Sequence, residues 1–313
     1  MSQPHAVVLG GFGFLGRHTC RELDRRGYRV SALGRGDWSA DEARAWGIHT
    51  WQSADIDMRS LAAIDGGGEA ELFIHCAGSG SVAKSFSAPL GDYQRSVDST
   101  AALLEFVRER CNARPRVVVT SSAAVYGDQG DVDVAESATR SPVSPYGFHK
   151  LIAENLCDSY ARFFGVRVSI VRLFSVYGEG LRKQLLWDAA NKLARGQATF
   201  FGTGRELRDW VHVEDAAALL CAAGTVANQD DFELYNGGNV HQTTERVIAE
   251  LGALIDPSVR PSFSGDIHVG NPRRLTANSR HAHRQLGWRP AIDLSSGLRR
   301  YVDWFRAETG SAA

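Results

Sequence analysis

The chain is short of lysine, cysteine and net charge. Only four of its 35 basic residues are lysines (Lys84, Lys150, Lys183 and Lys192), and 35 basic against 36 acidic residues leave a formal charge of −1. That balance offers no general attraction for nucleic acid or an anionic membrane surface, so a small-molecule partner is expected. The five cysteines, Cys20, Cys76, Cys111, Cys157 and Cys221, include no Cys-x-x-Cys pair. A zinc ribbon and a disulfide framework are therefore not indicated, no metal site is expected, and reduced thiols fit a cytoplasmic chain. No apolar run approaches the roughly 20 residues of a membrane span, and the start, Met1 to His5, leads directly into a strand pattern. What the chain has is length: 313 residues, 43% hydrophobic, enough for a large α/β domain with a smaller lobe.

The apolar run Ala6-Val7-Val8-Leu9 is followed by Gly10-Gly11-Phe12-Gly13-Phe14-Leu15-Gly16 and then by an Arg/Leu/Glu-rich stretch. A glycine loop thus joins a buried strand to a helix, the context in which a dinucleotide pyrophosphate is held by backbone amides. Gly10 allows the tight turn, Gly13 lets the amides around Phe14 and Leu15 approach phosphate, and Gly16 lets the helix pack closely.

Strand and helix patterns then alternate: strands at 29–33, 48–52, 72–75 and 116–120, a helix near 92–110, a helix from about Tyr146 to Phe164 and a strand from Val168 to Phe174. This alternation predicts an α/β fold with a parallel sheet wound on both faces. The texture changes to longer loops near Gly178. The expected division is 1–177 for a dinucleotide-binding domain and 178–313 for a mainly substrate-binding lobe. Segments near 208–238, Trp210 to Asp215 and Glu233 to Asn236, read as strand and helix returning to the first domain, so the lobes interleave in sequence.

Tyr146-Gly147-Phe148-His149-Lys150 follows Ser144-Pro145, a helix cap and a first-turn proline. Tyr and Lys four apart share a helical face. Bringing a phenol from a pKa of about 10 to about 7 takes roughly 4 kcal/mol of preference for the phenolate, for which a neighbouring ammonium is a suitable source. With eight tyrosines and so few lysines, a chance Tyr-x-x-x-Lys is expected roughly 0.1 times. Upstream, Val117 to Ser122 is an apolar strand ending in hydroxyls, at the carboxyl edge where open α/β sheets place ligands.

Together these residues resemble the extended short-chain dehydrogenase/reductase family, in its nucleotide-sugar epimerase, dehydratase and reductase branch. The resemblance covers nearly the whole chain. It includes Asp55-Ile56, His75-Cys76-Ala77-Gly78, Ser121 to Gly127, Val171 to Gly178, Arg208 to Asp215 and Leu286 to Pro290. It implies a Rossmann-type doubly wound parallel sheet with a smaller, sequence-interleaved C-terminal α/β substrate lobe. By the match, Ser122, Tyr146 and Lys150 are the catalytic set, Lys150 also holds the nicotinamide ribose, and Tyr146 contacts the cofactor as well. Asp55 and Ile56 border the adenine, and Ala77 lies against the cofactor with Gly10, Gly13, Phe14, Leu15 and Gly16. Ser122, Ser175 and Arg208 contact substrate, Arg208 at its diphosphate.

The departures narrow the chemistry. Sugar-nucleotide 4,6-dehydratases carry an acid pair after the catalytic hydroxyl, where this chain has Ala123 and Ala124, and methyl groups transfer no protons. Ser96 and Ser175 stand where many relatives have asparagine, and His268 and Asn271 fall in a segment that commonly reads Arg-x-Gly-Asp. NAD-binding members place an acid at the Gly34 position; its absence, with Arg35 following, favours NADP(H), since a guanidinium pairs with a 2′-phosphate, although Asp37 could reach a ribose and NAD(H) stays open. The expected activity is NADPH-dependent reduction of a 4-keto nucleotide sugar with Tyr146 as proton donor. The alternative is a nucleotide-sugar C4 epimerase with tightly bound NAD, and a third reading is a catalytically silent dinucleotide sensor. A homodimer is expected, through the helices ending near Arg110 and Phe164. Leu103, Leu104, Val107, Leu151 and Leu156 serve either that interface or the core.

Overall fold

The computed structural model describes residues 3–111, 114–226, 230–266 and 272–310; His268 and Asn271 lie outside them. The first half runs β1 (His5–Leu9), α1 (Phe14–Arg25), β2 (Arg29–Gly34), α2 (Ala40–Ala45), β3 (Thr50–Ser53), α3 (Met58–Asp65), β4 (Leu72–His75), the short α4 (Val82–Ser87) and α5 (Pro89–Tyr93), a π-helical turn (Gln94–Asp98), α6 (Ser99–Arg110) and β5 (Arg116–Ser122). Then follow β6 (Asp133–Val134), α7 (Pro145–Phe164), β7 (Arg167–Leu173), β8 (Ser175–Tyr177), α8 (Gln184–Leu193), β9 (Thr199–Phe200), β10 (Leu207–His212), α9 (Val213–Thr225) and β11 (Phe232–Gly237). The chain closes with β12 (Val240–Thr243), α10 (Thr244–Ile255), β13 (Ser262–Phe263), β14 (Arg274–Ala277), α11 (Arg280–Leu286) and α12 (Leu294–Thr309).

Seven strands form one sheet in the order β11-β7-β5-β4-β1-β2-β3, and every pairing in it is parallel. Successive strand residues face opposite sides, so each strand feeds two cores. Ala6 and Val8 pack on one face with residues of α1 and α9, while Val7 and Leu9 pack on the other with residues of α3 and α6. Such near-continuous apolar strands are what a sheet covered on both faces requires. The chain leaves β1 toward β2 on one side and reaches β4 on the other. The carboxyl ends of β1 and β4 therefore flank the switch point where such sheets bind ligands.

A second sheet, β12-β10-β14-β6 with β8 also paired to β10, joins α8, α10 and α12 around a separate core that includes Tyr177, Trp210, Leu251 and Phe305. This corrects one expectation. The strand at 207–212 does not rejoin the first sheet; only α9 and β11 do, α9 against the first core and β11 beside β7. The helix expected over 92–110 is also broken, into α5, the π-helical turn and α6.

Of the residues offered for an interface, Leu103, Leu104 and Val107 are fully or nearly buried and belong to the core. Leu156 is partly buried against it, and Leu151 against a small separate cluster of Ala123, Val125, Tyr126 and Val134. The exposed apolar side chains on this side of the molecule are instead Phe86, Leu90, Phe148, Ile152, Phe163 and Phe164. Among the described residues no helix is long and apolar enough to cross a membrane. No group of three or more His, Cys, Asp or Glu among them could hold a metal ion.

Candidate active site

The glycine loop closes on itself after β1. Gly10 sits at φ +80, its N–H donates to the Leu33 carbonyl, and its own carbonyl accepts from Gly13 N–H at 2.9 Å. A Cβ at Gly10 would stand 2.7 Å from the Ala77 nitrogen, and one at Gly16 would stand 2.1 Å from the Gly10 carbonyl oxygen. Glycine is needed at both because backbone meets backbone there, Gly16 packing its helix on the turn itself. At Gly13, which caps α1, no side chain bonds the first helical amides and the first turn holds no acid. These amides, with the positive end of the helix dipole, form a cradle that fits a pyrophosphate. The Leu15 side chain packs on the first core and that of Phe14 on the core of the second sheet, so the residues meet the cradle through their backbone.

At the adenosine end, Arg35 donates bidentately to Asp55, through Nε and, at 2.9 Å, through Nη2. Both side chains are exposed. The Asp55 carbonyl accepts from the Ser60 hydroxyl within a capping box that Asp57 and Ser60 form at the start of α3, and Ile56 packs on the second face of the sheet. Gly34 lies at φ +157, and a Cβ there would come within 3.2 Å of Gly10 Cα. Glycine at 34 thus has a packing reason that is independent of the cofactor.

At the reacting end, Ser144 caps α7, its Oγ accepting from Gly147 N–H at 3.2 Å, with Pro145 in the first turn. That start fixes Tyr146 and, one turn on, Lys150. The Lys150 Nζ donates to the Thr120 carbonyl at 2.9 Å, and Ser122, two residues further along β5, lies close enough to the Tyr146 phenol to act on its proton. The Ser122 Oγ also accepts from Ala124 N–H at 3.2 Å. Serine, tyrosine and lysine therefore converge at the carboxyl end of β5. Burial pushes the Tyr146 phenol up, the Ser122 hydrogen bond opposing it and the Asp92 charge adding to it. Burial pulls Lys150 down, with Asp92 first among the charges that oppose it.

The substrate candidates lie on the second sheet. Ser175 of β8 pairs with Trp210 of β10, and Arg208 stands two residues before Trp210 on the same strand. Arg208 is half-buried, its Nη1 donates to the Leu207 carbonyl at 2.9 Å, and burial lowers its pKa against the pull of the Glu206 charge. Asp209 turns away to accept from Ala277 N–H at 2.9 Å and from Asn239 N–H.

Sequence reasoning missed Asp92 and His149. The His149 Nδ1 lies 2.5 Å from the buried Asp92 carboxylate, which also accepts from the Ser79 hydroxyl. His149 stood in view beside Lys150, but its partner is 57 residues earlier in the chain. Ser96, in the π-helical turn, is buried with its Oγ unpartnered among the described residues; a Cβ on Gly78 would lie 3.4 Å from Lys150 Nζ and 3.7 Å from that hydroxyl.

Residues 6–238 match the NAD dependent epimerase/dehydratase family. The chain belongs to that family. As a member of the NAD-dependent epimerases/dehydratases it is 28% identical to a UDP-glucose 4-epimerase of Rhizobium leguminosarum bv. trifolii, over 97% of this chain and 98% of that protein. It is 27% identical to a dTDP-glucose 4,6-dehydratase of Xanthomonas campestris pv. campestris (strain B100), over 96% and 92%. The epimerase/dehydratase fold is shared with MoeE5, solved in complex with UDP-glucuronic acid and NAD, at a TM-score of 0.84 and 28% identity over 97% of this chain and 99% of that one. MoeE5 has also been solved with UDP-glucose and NAD.

Proposed function

We propose that this enzyme is a nucleotide-sugar C4 epimerase that keeps NAD bound through the reaction. The observation that carries the reading is the joining of Ser122, Tyr146 and Lys150 at the end of β5, with the methyl groups of Ala123 and Ala124 where elimination would need acids. The Gly10–Gly16 cradle suits a dinucleotide, which when bound supplies a hydride acceptor and donor beside a positively charged ring. Tyr146 takes the proton from the sugar 4-hydroxyl and later returns it to the 4-keto oxygen. Ser122 orients that oxygen by hydrogen bonding. Lys150, held by the Thr120 carbonyl, favours the phenolate and binds the ribose. Arg208 meets the substrate diphosphate, with Ser175 on the neighbouring strand.

The reductase reading takes second place because its two supports have other employment. Gly34 packs closely against Gly10, a reason for glycine apart from the cofactor, and the Arg35 guanidinium is already engaged by Asp55. Relatives that carry NAD point the same way. We further propose a homodimer through α4, α5 and α7, supported by the exposed Phe86, Leu90, Phe148 and Ile152.

The test is to denature the purified protein and identify the dinucleotide released, then to add nucleotide sugars to the intact enzyme and follow the near-ultraviolet absorbance of reduced nicotinamide. The epimerase predicts near-stoichiometric NAD and interconversion of C4 epimers with no net redox change, reduced about a thousandfold in Tyr146→Phe. Substoichiometric release, tight NADPH binding and one-way consumption of a 4-keto sugar would restore the reductase.

A further inference from the structure

Burying a carboxylate is unfavourable unless hydrogen bonds offset its lost hydration, so the partners of a buried one indicate what it is for. The Asp92 side chain, at the end of α5, is 1% exposed and has two partners, the His149 Nδ1 at 2.5 Å and the Ser79 hydroxyl. Facing an ionised carboxylate, Nδ1 carries the proton and donates it. The imidazole is itself fixed, with the Tyr93 ring edge-on at 5.5 Å between centroids. Each partner is a chain neighbour of a residue at the reacting end. His149 immediately precedes Lys150 on α7 and stands three residues after Tyr146. Ser79 follows Gly78, whose Cβ would lie 3.4 Å from Lys150 Nζ.

Two contacts thus join the same two segments: Lys150 approaches Gly78, and Asp92 ties His149 to Ser79 beside it. The chain around Asp92 is also shaped toward this spot. Directly after α5 it makes the π-helical turn, a device that re-aims side chains and recurs at functional sites. From that turn the buried Ser96 Oγ comes within 3.7 Å of where a Gly78 Cβ would be. On the other side, the Ser85 hydroxyl of α4 accepts from the Tyr146 N–H at 3.0 Å. The Asp92 charge opposes the loss of the Lys150 ammonium on burial and disfavours the Tyr146 phenolate. The other groups that act on the two are the Ser122 hydroxyl of β5, Cys76 after β4, and Glu154 and Cys157 farther along α7. Nearer Asp92, the Lys183 Nζ donates to the Ser79 carbonyl at 3.3 Å, and Lys84 of α4 and Arg95 of the π-helical turn are exposed.

We propose that Asp92 and His149 are positioning residues for the reaction: the Ser79–Asp92–His149 clasp fixes the 77–79 segment against the turn of α7 that carries Tyr146 and Lys150, and so sets the gap that the nicotinamide end of the cofactor enters. The proposal rests on the reading of Tyr146 and Lys150 as the reacting groups and adds how their place is held. A carboxylate suits the task because its two oxygens accept from donors on separate segments, and such charge-assisted bonds are the strong ones. Misplacing a reacting group by about 1 Å costs on the order of a hundredfold in rate. Affinity suffers far less, since the cofactor's diphosphate and adenosine are held elsewhere, at the Gly10–Gly16 cradle and the Asp55 end.

The test uses the full chain loaded with dinucleotide, as wild type, His149→Ala, His149→Asn and Asp92→Asn. His149→Ala opens the clasp, His149→Asn returns an N–H donor to the place of Nδ1, and Asp92→Asn keeps the shape while removing the charge. With NADH bound, the nicotinamide emission should fall toward that of the free dinucleotide in His149→Ala and recover in His149→Asn, at unchanged NADH affinity. With UDP-glucose and UDP-glucuronic acid as substrates, His149→Ala should lower kcat about tenfold or more at unchanged KM, and His149→Asn should restore most of it. In Asp92→Asn both limbs of the kcat–pH profile should move to lower pH. Tyr146 and Lys150 titrate as a pair, and a negative charge that favoured the protonated form of each has gone. Unchanged emission in His149→Ala overturns the proposal, as does a rise in KM with kcat intact or a loss that His149→Asn leaves in place. A profile that loses height without moving overturns it too, since Asp92 would then not stand beside the reacting pair. If the wild type turns over neither sugar nucleotide, the epimerase reading suffers, and the emission alone decides the clasp.

Discussion

Arg172 with Glu154 and Arg35 with Asp55 are both two-pronged arginine–carboxylate pairs, yet the first has side chains 1% exposed on each side and the second 70% and 65%. In the buried pair the Arg172 Nε and Nη2 donate to Glu154 at 2.9 and 2.6 Å, and Nη1 reaches the Tyr126 hydroxyl at 2.7 Å. Ser121, beside the catalytic hydroxyl, donates to the same Glu154 at 2.6 Å. One pair thus ties α7 to β5 and β7 behind Tyr146, Lys150 and Ser122. The other hangs over an open edge and ties only two loops. Identical chemistry is architecture in one place and an available ligand surface in the other, and burial decides which.

Glu154→Gln is the hardest test of that contrast. It leaves the Arg172 charge inside the protein without its counter-charge, and removing one member of a buried pair costs about 3–5 kcal/mol. Urea unfolding followed by circular dichroism should show a lower midpoint with an unchanged slope. Activity should fall through a smaller kcat, as α7 loses its hold on Ser121, rather than through KM. A midpoint within error of the wild type would make the buried pair no more structural than the exposed one.

How far the sequence reveals this contrast depends on the distance over which each feature is written. The glycine loop, Ser144-Pro145 and Tyr146 to Lys150 are local patterns, and their backbone geometry follows from neighbours within a turn. β10 reads equally well as a strand of either sheet, since Trp210 and Val211 are buried in both cases; only its pairing with β8, β12 and β14 assigns it. The partners in Glu154–Arg172 and Asp92–His149 come from different elements, so no spacing rule connects them. Gly34 misled for a related reason. An absent acid looks like a cofactor preference until the close approach of Gly10 gives glycine at 34 a packing reason of its own.

Acid provides a second, smaller probe, through a buried imidazole whose acidic neighbours, Glu214 and Glu179, do not offset its burial. His18 is 4% exposed, its Nε2 lies 3.0 Å from the Glu179 carbonyl, and its Nδ1 has no partner among the described residues. Burial pulls its pKa down from 6.5 to about 4, against the hydrogen bond to Glu179. Above 6.5 the imidazole is neutral in both folded and unfolded chains and its contribution is complete. Between 6.5 and 4 the unfolded chain takes up a proton that the folded one refuses, so stability falls with pH, by on the order of 3 kcal/mol across the window. His75, pulled to about 3 chiefly by burial, adds to the same slope. Urea midpoints between pH 7 and pH 4 should decline in the wild type and decline less steeply in His18→Gln. Parallel profiles would mean that His18 opens to water before the chain unfolds.

The smallest effect on stability belongs to the exposed pair, where the informative readout is binding. The Arg35 hydrogen bond holds the Asp55 carboxyl below its usual range, but both side chains stand in water, so surface screening leaves the pair little to contribute to folding. Asp55→Asn should unfold at the same urea concentration as the wild type. It should, however, release the guanidinium, and a free guanidinium after β2 is a partner for a 2′-phosphate. Titration of dinucleotide-free protein should therefore show the NAD preference weakening toward NADP in Asp55→Asn, and no such movement in the double variant with Arg35→Ala. If Asp55→Asn leaves discrimination untouched, Arg35 does not face the adenosine ribose. If instead it lowers the unfolding midpoint as Glu154→Gln does, exposure is not what separates the two pairs.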